Sequence, residues 1–194
     1  LSQTVEQSPA LVMITDTAAT IEYVNPKFVD VTGYARHEII GRTPAFLTSD
    51  KTPDEDRRAI ADVIRTGQSW RGEVCNRKKD GEDLWVAQSI SPIRAPGGEI
   101  THFLSVSEDV TTRRLFEERL HHQANHDQLT DLPNRTLFFD RLTRSLAMSR
   151  RDGWSLTLMF IDLDGFRHIN DGLGPGGGDE ILRQVAGRLA SWID

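Results

Sequence analysis

Of 194 residues only one is a cysteine, Cys75. That excludes an internal disulfide and any cysteine-rich zinc site, and it suits a reducing compartment, so a cytoplasmic location is expected. Positive charge is also short: 23 Lys and Arg stand against 29 Asp and Glu, a formal net charge of −6. A surface for nucleic acid or anionic lipid needs the opposite excess, so no nucleic-acid partner is expected. No apolar run reaches the roughly 20 residues that span a bilayer, and nothing resembles a signal peptide. There is no Gly-x-x-x-x-Gly-Lys-(Ser/Thr) stretch, so a Walker-type NTPase is not supported. The chain opens on Leu1 rather than Met, so an excerpt is expected, with room for a membrane anchor upstream. What remains is 38% hydrophobic and 27% charged, a balance that fills one medium core or two small ones.

The first part reads as a small α+β domain. The β-rich runs LVMIT (11–15) and TIEYV (20–24) flank Asp16-Thr17-Ala18-Ala19, which predicts a hairpin. Asn25 followed by Pro26 predicts a capped helix start. Thr52-Pro53-Asp54-Glu55 predicts a second, through a capping box, for a helix carrying Ile60, Val63 and Ile64 and ending at Gly67. Three strands follow, separated by turns at Lys79-Asp80-Gly81 and Pro96-Gly97-Gly98. From Thr111 to about His126 the pattern is a charged helix whose narrow stripe is Leu115, Leu120 and Ala124, with Phe116 beside it. Such a stripe packs on the domain or pairs with a second chain, and pairing is the preferred reading. Asn134 then caps a helix bearing Leu137, Phe138, Leu142 and Leu146, which ends near Gly153. SLTLMFIDL reads as a strand covered on both faces. A short helix over Phe166 to Asp171, a glycine-rich link and a helix with Ile181, Leu182, Val185 and Leu189 complete the start of an α/β domain.

Few residues here carry chemistry. Asp162 and Asp164 stand at the C-terminal end of the expected strand, where they either hold a hard cation such as Mg²⁺ or solvate the strand end and cap the next helix. Asn170 and Asp179 flank the glycine-rich link and could read a purine edge, although an aspartate at a helix start is also the expected cap. His121, His122 and His126 include an i, i+4 pair, but without the intervening Glu of a metalloprotease they read as a solvated helix face.

HDQLTDLPNR (126–135), FIDLDGFRHINDGLG (160–174) and GDEIL (178–182), in that order, closely resemble the opening half of a GGDEF domain, the diguanylate cyclase family. NPKFVDVTGY, the segment ending EIIGR, WRGEVCNRKKDG and the closing EDVT resemble a PAS sensor. The two resemblances imply a PAS domain over 1–110 with a five-stranded antiparallel sheet and short helices. A linker helix at 111–126 follows, then an incomplete α/β GGDEF domain over 127–194. The letters Gly177-Gly178-Asp179-Glu180 imitate the family's catalytic Gly-Gly-(Asp/Glu)-Glu-Phe turn. They precede an amphipathic helix rather than sit in a hairpin, and match the family's earlier Gly-His-x-x-Gly-Asp element.

Residue by residue, the resemblance implies Asp162 as a metal ligand and Leu163 as a carbonyl donor to Mg²⁺. It implies Gly165 and Phe166 as backbone donors to GTP phosphates, and Arg167, in a lysine position, as the catalytic cation. Asn170 and Asp179 match the guanine-binding pair, while Pro175 replaces a histidine and puts that nucleotide contact in doubt. In the family, two GTP-loaded domains face each other, so a homodimer through the PAS domain and linker helix is expected. The 194 residues lack the acidic turn that completes the metal site, so they are expected to be inactive alone. In the PAS part, Thr43-Pro44-Ala45-Phe46-Leu47 stands where flavin photoreceptors have a reactive cysteine, which argues against cysteine-adduct photochemistry. Trp70 and Asn76 resemble residues of the FAD-binding, redox-sensing PAS subgroup; otherwise Trp70 is core and Asn76 serves a strand edge. Three functions therefore compete: a PAS-regulated cyclase, a degenerate GGDEF domain that binds GTP or tunes a phosphodiesterase, and a redox or small-ligand sensor.

Overall fold

The computed structural model describes residues 3–192, without the side chains of Ile64 and Pro175, so the expected roles of those two side chains lie outside what is described. The chain divides into two compact units, Leu1–Leu115 and Phe116–Asp194.

The first unit follows the predicted order closely. A short helix α1 (Gln3–Glu6) precedes β1 (Leu11–Asp16) and β2 (Ile21–Val24). Next come α2 (Pro26–Thr32), α3 (Arg36–Ile39), a 3₁₀ turn (Pro44–Leu47) and α4 (Asp54–Thr66). Then β3 (Trp70–Arg77), β4 (Asp83–Arg94) and β5 (Ile100–Asp109) close an antiparallel sheet in the order β2-β1-β5-β4-β3. The first hairpin forms because Asp16 Oδ1 accepts from the amides of Ala18 and Thr20, at 2.9 and 2.7 Å. Leu11, Met13, Val24, Phe28, Ile39, Leu47, Val74, Leu84 and Val86 make the main core, and Val63, Ile90 and Phe103 a second cluster.

Asn25 does more than the expected capping. Its Oδ1 accepts from Phe28 N at 3.1 Å and from Val12 N at 3.0 Å, while Nδ2 donates to the carbonyls of Ala10 and Val5. A fully buried amide with all these bonds made ties α2 to β1. The predicted capping box at Thr52 does not form. The Thr52 hydroxyl instead bonds both Cys75 O (2.7 Å) and Cys75 N (3.0 Å), and α4 starts from Pro53 with no side-chain cap. Satisfying buried β3 backbone outweighs satisfying an exposed helix end that water can reach.

Helix α5 (Thr111–Asn125) carries the division between the two units, at Leu115/Phe116. In the second unit, HDQLTDLPN is a compact turn. Asp127 Oδ1 accepts from the amides of Leu129 and Thr130 and from the Thr130 hydroxyl. Asn134 then donates to Ala124 O and caps α6 (Arg135–Asp152) through Leu137 N, and α6 ends on left-handed Gly153 as predicted. The run 154–163 is not the expected covered strand. It pairs with no strand among the described residues, and Met159, Phe160 and Ile161 are 75%, 87% and 63% exposed. Strand backbone needs a neighbouring strand for its donors and acceptors, and the described part of this unit offers none. Helix α7 (Phe166–Ala190) is two helices broken at Gly174, whose φ of 72° and ψ of 174° interrupt the turn.

Candidate functional site

Between the inner face of the sheet and α2, the 3₁₀ turn and α4, the first unit holds a partly open cavity of about 540 Å³. That lies in the range of sites that take a small organic ligand, ~300–1,000 Å³. Strand alternation decides its floor: Leu11, Met13 and Thr15 of β1, Phe103, Ser105 and Ser107 of β5, Gln88 and Ile90 of β4, and Val74 and Asn76 of β3. Of the two residues singled out for a flavin, only Asn76 lines it, and its side-chain amide makes no hydrogen bond among the described residues. Trp70 packs on the core clusters, with its ring over Gly72: a Cβ there would stand 2.6 Å from Trp70 Cζ2. The Trp-x-Gly spacing is thus a packing device.

Pro44 and Ala45 lie on the cavity wall where a reactive cysteine would be needed, and Cys75 is not among the lining residues. Burial pushes the Cys75 thiol up from its ordinary pKa, which keeps it protonated and unreactive at neutral pH. The sequence reading missed Thr15, Arg57, Gln88, Ser105 and Ser107. A signal was available, since polar residues at inward positions of a half-buried sheet are out of place unless something meets them. The residues present suit a planar heteroaromatic ring with polar edges, the ring end of FAD. They offer nothing specific to its dinucleotide half.

On the opposite face, β3 and β4 grip the first turn of α5. Thr111 Oγ1 accepts from Trp85 N at 2.9 Å, and Glu73 meets Arg113 at 2.6 Å and Arg114 at 3.6 Å. The Arg114 guanidinium sits 3.8 Å from the centroid of Trp85. Val74 and Asn76 of β3 and Gln88 and Ile90 of β4 line the cavity, so the grip and the cavity wall share the same two strands.

In the second unit the glycine-rich link is a helical bend. Gly178 is buried, and a Cβ on it would fall inside contact distance of Asn170 Oδ1 and 3.3 Å from Phe166 Cζ. Only glycine permits this approach, which brings Asn170 and Phe166 against the residue preceding Asp179. Asp179 lies well inside the second helical segment, so the expected cap role does not hold. The helix resumes straight after Gly174, at Pro175, as a proline at a first helical position favours. The letters Gly177-Gly178-Asp179-Glu180 are therefore helical and form no hairpin. Asp162 and Arg167 are exposed, and Gly165 adopts a left-handed φ of 73° at the start of α7. Among the described residues no three His, Cys, Asp or Glu side chains gather to hold a metal. Asp162 and the Leu163 carbonyl are hard oxygen donors of the type Mg²⁺ takes, and they would fill part of an octahedral shell that water and substrate phosphates complete. His122 is engaged with Asp131 at 2.5 Å and stacks on His126, as a solvated helix end does. No helix among the described residues is long and apolar enough to cross a membrane.

Residues 9–112 match the family model of the PAS domain, and residues 124–194 that of the diguanylate cyclase GGDEF domain. A nitrogen fixation regulatory protein of Klebsiella oxytoca is 33% identical over 127 residues, covering 66% of this chain and 25% of that protein. The cyclic di-GMP phosphodiesterase PdeR of Escherichia coli is 27% identical over 193 residues, 99% of this chain and 29% of that one. The probable diguanylate cyclase DgcE of the same species is 30% identical over 186 residues, 94% of this chain and 17% of that one. The chain thus spans less than a third of each of these relatives. Among solved structures, an RNA-binding light-oxygen-voltage receptor is similar at a TM-score of 0.56 and 29% identity, covering 63% of this chain and 35% of that one. With its five-stranded sheet and family-model match over residues 9–112, the chain belongs to the PAS family, and a GGDEF-domain segment follows the PAS domain.

Proposed function

We propose that this chain is the sensory and nucleotide-facing part of a PAS-regulated diguanylate cyclase, which condenses two GTP into cyclic di-GMP. The observation that carries the reading is the close packing of Asn170 on Gly178. It sets an amide and the adjoining Asp179 carboxylate on neighbouring helical segments, where a carboxylate accepts from guanine's ring N–H and amino group. In this reading Gly165 and Phe166 present backbone N–H groups to phosphate oxygens at the start of α7, and Arg167 supplies positive charge there. Asp162 and the Leu163 carbonyl would help hold Mg²⁺, which supplies charge stabilisation at the phosphates. Two such domains must meet around two GTP molecules, and α5, entering from the PAS unit, is the element that could set their geometry. The test is GTP binding by the full-length protein: Asp179→Asn should weaken affinity about tenfold, the worth of a charge-assisted hydrogen bond. Unchanged affinity removes the guanine assignment.

A second reading, a GGDEF domain that binds GTP to regulate a neighbouring phosphodiesterase, is favoured by Pro175 in place of the family's histidine and by the match to PdeR. Turnover by the full-length protein separates the two. The PAS unit works as a small-ligand sensor in either case, with a flavin ring as the occupant that the cavity's size and polar edges favour.

A further inference from the structure

Asn170 and Asp179, the pair that the guanine reading needs on one ligand, lie on opposite sides of the break at Gly174. The φ of 72° and ψ of 174° at Gly174 fall in a region essentially closed to any residue but glycine. Four more glycines surround it, and they are of two kinds. Gly177 and Gly178 are required for space: a Cβ on the first would fall inside contact distance of Leu173 Cβ, and one on the second inside that of Asn170 Oδ1. Gly172 and Gly176 are not. Both are helical, neither takes a positive φ, and among the described residues a Cβ on either would stand in open space.

Glycine at such a position weakens the helix and relieves no crowding. Each lowers the helical population about fivefold against alanine, because glycine gives up the most backbone freedom on ordering. Gly174 also has no side chain with which to cap the segment that starts after it. Beyond Asp179 the same helix is better supported. Glu180 pairs with Arg183 at 3.4 Å and with Gln184 at 3.1 Å, and Ala186 is buried. The two helical segments are therefore weakest where they meet, between the two residues that must act together.

We infer that residues 172–178 form a hinge, open in the free protein, which a guanine base closes by bonding Asn170 on one segment and Asp179 on the other. The packing of Gly178 on Asn170 is its closed state. This rests on the guanine-binding reading of that pair and deepens it: the ligand assembles its own site, and the glycines of the hinge set how far closure weakens binding. A ligand that binds only the closed form loses affinity in proportion to the fraction of protein that is open.

Calorimetric titration of the full-length protein tests it, with GTP whose α–β bridging oxygen is replaced by methylene so that no pyrophosphate leaves. Gly172→Ala and Gly176→Ala should each tighten binding about fivefold, because each favours the closed helix that the base needs. Gly187→Ala is the control, a helical glycine of the same segment whose Cβ would also stand in open space, but well beyond the break. It should change the affinity by less than about twofold. In the wild type the nucleotide should slow amide exchange at residues 172–178 by more than about tenfold, and Gly176→Ala should slow it before nucleotide is added. Unchanged affinity in both variants, with exchange equally slow with and without nucleotide, overturns the inference; if Asp179→Asn still weakens binding, the guanine reading stands. Equal tightening by Gly187→Ala also overturns it, by placing the effect in general helix stability. No binding, or binding that Asp179→Asn leaves unchanged, removes the guanine reading and the inference with it.

Discussion

At the scale of single residues, Asn25 is the most heavily committed side chain. It is fully buried and bonds Val12, Phe28, Ala10 and Val5. Asn25→Ala removes a cap and strands buried backbone groups, which should cost about 2–4 kcal/mol. Denaturant melting of the isolated PAS unit would measure it, and a loss below 1 kcal/mol would reduce Asn25 to the simple cap its sequence position suggests. Asp127 offers a pH test. The Thr130 hydroxyl and then its amide hold the Asp127 carboxyl below its ordinary value. A carboxyl depressed on folding contributes stability above the unfolded pKa of about 3.9. That contribution is lost as pH falls through the lower folded value. Thr130→Val should therefore raise the Asp127 pKa seen by NMR and shift local unfolding of the 126–134 turn to higher pH; an unmoved pKa would contradict this.

Elements behave according to what they can lean on. Helix α5 has no buried residue of its own, yet its first turn is gripped by Glu73, Trp85 and the Thr111 hydroxyl. An exposed ion pair and an exposed cation–π contact are each worth roughly 0.5–1 kcal/mol. Arg114→Ala should lower stability by about 1 kcal/mol and speed amide exchange in residues 112–116 about fivefold, while exchange in β1 and β2 stays unchanged. Exchange that rose equally across the PAS sheet would place the arginine's effect in global stability rather than in the grip. The run 154–163 is the opposite case, an apolar segment with no ladder to join. Limited proteolysis of the 194-residue chain should cut there first and leave a product ending near α5. Equal resistance of both units would show that something covers the segment.

For the molecule as a whole, the open question is how one chain meets another. Leu115, Phe116 and Leu120 are 58%, 60% and 49% exposed along α5, more apolar surface than an isolated helix leaves uncovered without reason. Charged substitutions at Leu115 and Leu120 should convert a dimer to monomers in light scattering, and a wild-type chain that stays monomeric at high concentration would count against pairing. Without the acidic turn among its 194 residues, the chain should make no detectable cyclic di-GMP from GTP and Mg²⁺; product from the pure chain would sink that expectation.

Local chemistry was legible wherever a residue's partner lies a few positions away. The cap at Asn134, the left-handed ends at Gly67 and Gly153 and the Asp16 hairpin all follow from the sequence, because turn and cap energetics are settled within four or five residues. That Gly177-Gly178-Asp179-Glu180 sit in no hairpin was legible for the same reason, the amphipathic spacing after them being local, but the sequence set them before the helix and the structure sets them within it. Tertiary structure alone decided where distant groups compete. Thr52 abandoned its helix for Cys75, 23 residues away, because buried strand backbone has no water to fall back on. Asp179 lost its cap role once the helix restarted just after Gly174. Trp70 folds over Gly72 onto the core clusters while Asn76 lines the cavity, although the two share one face of β3, because six residues of strand separate them. Thr15 and Ser107 became one cavity floor only once β1 and β5, some 90 residues apart, lay side by side.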